Sequence, residues 1–253
     1  MKSILYIGID DTDILGEPPG TGRVARNLAS HLEALGLGLS HGVTRHQLLV
    51  DPRIPYTSHN SSLCIAVETE AGVQDIMEPC TEFIEKYARD GSDPGLCILP
   101  LYSLNEELTD FGMRAITTVL DKQEAALLAQ KHGIILRELG GTGQGIIGAL
   151  AAAALRADGN NGRFVDLRGI RDICGTVIVA ELKSLTDITE VLDPGGRPLG
   201  QSERIESYGW IRPSLYWGEA VLRVQPVAAS NSALWEPLEN RKDKPKKKQE
   251  AEK

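Results

Sequence analysis

Asp10, Asp11 and Asp13 stand in the stretch Gly8-Ile-Asp-Asp-Thr-Asp13, directly after the apolar run Ile4-Leu-Tyr-Ile7. Carboxylates that leave one strand together repel each other unless a cation neutralises them. Mg2+ suits such a group, being a hard ion held by one or two carboxylates together with substrate phosphates. The other reading of the same residues is a solvated acidic turn in which one Asp caps the next helix. Strand alternation sends Asp10 and Asp11 to opposite sides, so the three acids converge only if the strand breaks at Asp10.

The following Pro18-Pro-Gly-Thr-Gly-Arg23 comes close to a phosphate loop and fails as one. Glu17 stands where the first glycine belongs, Arg23 replaces the lysine, and Val24 replaces the Ser or Thr that would hold Mg2+. What survives is a glycine turn opening a helix. Gly20, Gly22 and Arg23 are therefore candidate anion-binding residues, through free amides and the positive helix end. Thr21 reads either as a helix N-cap or as a hydroxyl beside a phosphate.

Two further segments carry polar chemistry. Gly143-Gln-Gly145-Ile-Ile-Gly148 is a complete GxGxxG, with Asp166 eighteen residues beyond its last glycine, which fits a dinucleotide fingerprint. The same glycines also allow close packing of an Ala-rich helix on a sheet. The segment Arg45-His-Gln-Leu-Leu-Val-Asp-Pro-Arg-Ile-Pro-Tyr-Thr-Ser-His-Asn-Ser-Ser62 gathers Arg45, His46, Arg53, Tyr56, His59 and Asn60 around two prolines. Arg53, His59 and Asn60 are its candidate donors to a phosphate or a ribose.

These residues need elements to position them. Hydrophobic periodicity predicts strands over 4–10, 42–50, 62–68 and 95–99, and helices over 22–35 and 73–89, with one or two more across 105–131. Past Gly133 it predicts a strand, the glycine turn and a helix over 146–156. Strands follow at 176–182, 190–192 and 217–224. Interleaved strands and helices imply an α/β (α+β) protein, with a first domain over 1–132 and a second over 133–228.

Composition narrows the partners. The chain has 253 residues and a net charge of −8. Seven of its 27 bases and four of its 35 acids lie in residues 239–253, leaving 20 bases against 31 acids, a net −11, in the rest. An acidic body argues against a broad nucleic-acid surface. Residues 229–253 read as a disordered charged tail. No apolar run of 18 residues or cleavable leader is present, so neither a membrane span nor a signal peptide is expected. Cys64, Cys80, Cys97 and Cys174 lack the spacing of a zinc site or disulfide framework, and read as small buried hydrophobes in a reducing cytoplasm.

Four segments in order resemble the archaeal 2-agmatinylcytidine synthetases that act on isoleucine tRNA. They are Gly8-Ile-Asp-Asp-Thr-Asp13 with its Thr-containing turn, Asp51-Pro-Arg-Ile-Pro-Tyr-Thr-Ser-His-Asn-Ser61, Gly145-Ile-Ile-Gly-Ala-Leu-Ala-Ala152, and Trp210-Ile-Arg-Pro-Ser-Leu-Tyr-Trp-Gly-Glu-Ala-Val-Leu-Arg-Val224. The resemblance implies an N-terminal kinase-like α/β domain binding ATP and Mg2+ through Asp10, Asp11 and Asp13. Thr21 is the nearest match to a threonine implicated in phosphoryl transfer. A ferredoxin-like α+β domain would follow, with the family's OB-fold and zinc ribbon missing, as in a short form. The family's Lys-Thr-Arg-Gly-Asn is here Tyr56-Thr-Ser-His-Asn60, with two positive charges lost. The expectation is an ATP- and Mg2+-dependent phosphotransferase or ligase, with a small-molecule substrate favoured over tRNA and a homo-oligomer left open. The alternatives are a non-catalytic nucleotide sensor and a dinucleotide-dependent oxidoreductase.

Overall fold

A computed structural model describes residues 2–54, 60–227 and 234–238. It divides into two compact units, Met1–Leu167 with Leu215–Glu219, and Arg168–Ser214 with Ala220–Lys253. The fold is mixed α/β, as the alternation of periods implies.

The first unit runs β1 (Ser3–Asp10), α1 (Thr21–Ala34), β2 (Leu39–Gln47), β3 (Ser61–Thr69), α2 (Val73–Tyr87), β4 (Gly95–Pro100), α3 (Glu106–Thr117), α4 (Lys122–His132), β5 (Ile135–Glu138), α5 (Gly145–Asp158) and β6 (Arg163–Asp166). Its strands lie in the order β5-β4-β1-β3-β2-β6. Every neighbouring pair among these six is antiparallel. Helices cover both faces, so period-two strands bury two sets of side chains. Leu5, Ile7, Ile9, Ile65, Leu96 and Ile98 pack with Leu28 and Leu32 of α1 and Ile76 and Ile84 of α2. On the opposite face Cys97 and Leu99 pack with Leu108 and Phe111 of α3 and with α5.

The helices follow from their sequences. Val24, Leu28 and Leu32 recur at helical spacing along α1, and all three are buried. Asn105 accepts hydrogen bonds from the Glu107 and Leu108 amides and so starts α3, while Gly133, at φ +65°, ends α4. α5 is apolar all round and buried nearly throughout, because sheet and helices enclose it. It comes so near the sheet that a β-carbon at Gly8 would overlap the Ala149 carbonyl oxygen.

The second unit contains β7 (Thr176–Ile178), α6 (Val179–Leu185), β8 (Glu190–Leu192), β9 (Arg204–Glu206), most of β11 (Glu219–Pro226) and β12 (Leu234–Pro237). The short β10 (Ser214–Tyr216) comes between β9 and β11 in the chain. β9 pairs antiparallel with β7 and parallel with β12, and β11 pairs antiparallel with β12 and parallel with β8.

Several expectations are corrected. The 132/133 boundary is not a break between compact units. β5 pairs with β4 and α5 lies on β1 and β4, so residues 133–167 complete the first sheet and its helical layer. The expected strand over 176–182 stops at Ile178, and α6 takes over with Val179 and Leu182 buried at helical spacing. Residues Leu234–Pro237, expected in a disordered tail, form β12, and the Trp235 indole N–H donates to Glu203. Residues 239–253 lie outside the described ones. Cys64, Cys80 and Cys97 are buried, whereas Cys174 is exposed. Among the described residues no helix is long and apolar enough to cross a membrane.

Candidate functional site

β1 sends Leu5, Ile7 and Ile9 into the core beneath α1 and α2, which turns Tyr6, Gly8 and Asp10 toward α5. Asp10 therefore ends the strand with its carboxylate against Gly148 in the first turns of α5. The strand stops there, and Asp11 takes φ +49°, a left-handed conformation uncommon for a residue with a side chain. Thr12 is buried, and its N–H and hydroxyl both donate to Thr21 Oγ1, at 3.3 and 3.2 Å. Thr21 in turn donates to Asp13 Oδ1 at 3.3 Å. The helix N-cap is Gly20, and Thr21 is the first residue of α1.

These residues line one cavity of about 390 Å3 within the first unit. Asp10, Asp11, Asp13 and Thr21 form one wall. Gln144, Gly145, Ile147 and Gly148 at the start of α5 form a second. Leu48, Ala115, Val119 and Leu120 supply an apolar side, and Arg53, Ile54, Asn60, Ser61 and Thr118 complete the lining. Burial, with the charge of Asp11 next in weight, pushes the Asp10 carboxyl up to about 8. Burial and the neighbouring Asp93 and Asp13 push Asp11 up to about 6. Two carboxyls are thus held where their charged forms are poorly solvated and, among the described residues, uncompensated by a protein cation.

The other candidate residues divide. Arg53 and Asn60 reach the cavity, but Arg53 is 73% exposed and paired with Asp51, whose carboxyl it holds down to about 2. The Asn60 side-chain amide donates to the Leu49 carbonyl at 2.6 Å. Gly20 and Gly22 hold the turn that presents Thr21 without lining the cavity themselves, and Arg23 is exposed on α1. His59 and Tyr56 lie outside the described residues. Arg45 and His46 belong to β2 rather than to the polar loop. His46 is fully buried between Thr44 Oγ1 at 2.8 Å and Asn161 Oδ1 at 3.1 Å, and is no donor to the cavity.

The three acids do not form a closed cage. Among the described residues no three His, Cys, Asp or Glu side chains are grouped to hold a metal ion. Asp10 turns to α5 and Asp13 to Thr21, so convergence on one ion by protein ligands alone is not met. The dinucleotide reading of Gly143–Gly148 is overturned by topology. That fingerprint belongs to a parallel βαβ unit, but β5 and β6, which flank α5 in the chain, lie far apart in the sheet with four strands between them. Its glycines serve packing instead. Asp93, in the loop before β4, is a feature beside the site that the sequence reading does not assign; only the Asp-Pro turn marks its position. The opening residues of α5 stand in the sequence as a dinucleotide fingerprint or as packing glycines, and the structure makes them a wall of the Asp10 cavity.

No family model matches the chain, and no curated protein does. Solved structures do. A complex of TiaS with its isoleucine tRNA and ATP matches with a TM-score of 0.52 and 27% identity over 60% of this chain and 36% of that one. The chain resembles TiaS, the agmatidine synthetase of an isoleucine tRNA. Apo TiaS matches with a TM-score of 0.51 and 27% identity, over 60% of this chain and 35% of its own. A tRNA fluorescent labeling enzyme gives 0.52 and 28%, over 60% and 36%. The chain thus spans about a third of the length of TiaS.

Proposed function

We propose that the chain binds ATP with Mg2+ in the cavity at the end of β1 and acts as an ATP-dependent phosphotransferase or ligase of the TiaS kind. The observation that carries the reading is the meeting of Asp10, Asp11 and Asp13 with the first turn of α5 in one cavity. The donor set fits the group. Asp10 and Asp11 are hard oxygen donors whose raised pKa values a divalent cation would reverse, and Mg2+ needs only one or two carboxylates when phosphates and water complete its shell.

Bound ATP would supply an electrophilic phosphorus, its charge offset by the ion. The chain's own residues do the rest. Asp10 and Asp11 hold the cation, and the α5 N-terminus favours negative charge at the second wall. Asp13 orients the Thr21 hydroxyl and is placed to take its proton. Leu48, Ala115 and Val119 limit water on the third side. Phosphoryl chemistry consists mostly of positioning and charge neutralisation, which this arrangement offers.

The substrate is a molecule smaller than tRNA, since the one cation in the described lining, Arg53, is already engaged by Asp51. That same pairing supports a second reading, a sensor that binds nucleotide without turning it over. Calorimetry with a non-hydrolysable ATP analogue and Mg2+ tests the main proposal. Binding by the wild type and at least a tenfold loss in Asp11→Asn is expected; no heat, or equal binding by both, overturns it. Tight binding with no ADP or AMP release above a Thr21→Ala control would select the sensor.

A further inference from the structure

Asp93 lines no part of the cavity, yet it bonds to both loops that form its polar walls. Its backbone N–H donates to the Asp11 carbonyl at 3.1 Å, on the residue with the left-handed φ. Its side chain reaches the other way. Oδ1 accepts the Gly143 amide at 2.5 Å, and Oδ2 accepts the Thr142 hydroxyl. Such charge-assisted bonds are among the stronger ones available to a loop. Gly143 itself sits at φ +77°, in the turn that delivers Gln144 and Gly145 to the cavity.

The surroundings hold Asp93 in place. Pro94 restricts it to extended backbone. The Pro94 carbonyl accepts the Leu139 amide at 2.9 Å, and Gly95 pairs with Glu138 across β4 and β5. On the other side the Arg89 amide donates to the Thr12 carbonyl at 3.0 Å, and its guanidinium donates to the Pro18 carbonyl. The 89–94 loop therefore ties down the acidic segment, and within that loop the Asp93 side chain extends the tie to the glycine turn.

We infer that Asp93 is a positioning residue, which fixes the acidic strand end and the α5 N-terminus at the separation a bound nucleotide requires. The inference rests on the nucleotide reading of the cavity. A side chain that merely stabilises the fold would lower the melting temperature and leave affinity alone. A positioning side chain also sets affinity, because walls out of register meet a triphosphate poorly.

The test uses the full chain with Asp93→Ala and Asp93→Asn, since Asn keeps one acceptor oxygen in nearly the same place. Amide hydrogen exchange without nucleotide reads the hold on the turn, and calorimetry with the ATP analogue and Mg2+ reads its consequence. Asp93→Ala should speed exchange across residues 142–145 at least tenfold and weaken binding about tenfold, and Asp93→Asn should recover most of both. Unchanged exchange, or faster exchange with wild-type affinity, overturns the inference. If Asp93→Ala does not fold, Thr142→Val removes one of the two side-chain bonds from the opposite partner and should give the same pair of effects at smaller size. If the wild type binds no nucleotide, the proposed function fails, and the link between Asp93 and affinity is overturned with it, while the exchange data still show whether Asp93 holds the turn.

Discussion

The Asp10 carboxylate and Gly148 occupy adjoining space so tightly that a β-carbon on Gly148 would fall on Asp10 Oδ2. The contact joins the last residue of β1 to the first turns of α5. It explains why a glycine is needed at the fourth position of an otherwise Ala-rich helix, although glycine costs about 1 kcal/mol of helix propensity relative to alanine.

Gly148→Ala should therefore trade a small helix gain for displacement of Asp10. Overpacking of this kind costs about 1–3 kcal/mol. The expected result is a lowered denaturation midpoint together with loss of ATP-analogue binding. Retained affinity with a raised midpoint would show that Asp10 moves aside freely.

Gly8→Ala should be more damaging. The added methyl meets the Ala149 backbone carbonyl, which cannot rotate away as a side chain can. Destabilisation above about 3 kcal/mol is expected, at the upper end for overpacked cores. Urea titration followed by circular dichroism would measure it.

Asp10 also predicts how stability changes with pH in the divalent-free protein. Its carboxyl is raised from about 4 to about 8, so the folded state holds a proton that the unfolded state releases. The contribution is complete below the unfolded value and is lost as pH rises through 8, at no more than about 1.4 kcal/mol per pH unit for one proton. Asp10→Asn should gain stability relative to wild type as pH goes from 4 to 8. A difference that stays constant over that range would contradict the burial of the acid.

His46 works in the opposite sense. Burial lowers its pKa to about 3, with the Arg156 charge adding to the effect against the Asn161 hydrogen bond. The neutral ring is complete above the unfolded value near 6.5, and its contribution is lost as pH falls toward 3. His46→Gln should be less stable than wild type at pH 7 and close the gap by pH 4. Thermal melts at both pH values would show it.

Legibility in the sequence followed the physical range of each signal. The stripe Val24, Leu28, Leu32 and the apolar run before Asp10 are local patterns, and α1 and β1 fall within a residue of their expected bounds. Asp10, Asp11, Asp13 and Thr21 were legible as one group because a short loop joins them. A seven-residue helix such as α6 is too short for its period to stand apart from a strand. The 132/133 boundary misled because Gly133 does end a helix, while the pairing of β5 with β4 reaches back about 40 residues. Asp93 left no chemical signal, since a lone Asp before Pro reads as a turn and its partners lie 49 and 50 positions onward.

The central place of β1 in an antiparallel sheet has a consequence for biosynthesis. Its register runs from Ile9 opposite Leu63 to Ser3 opposite Thr69 on one side, and from Leu5 opposite Pro100 to Asp10 opposite Gly95 on the other. The acids leave the ribosome ahead of the strands that flank them and the helix that faces them, which come some 50 to 140 residues later. Pairings so distant in sequence form slowly, because the chain must close long loops before they are rewarded. The earliest-made part of the cavity is therefore the last to acquire its walls, and until Gly148 emerges Asp10 faces a growing chain with no helix to receive it.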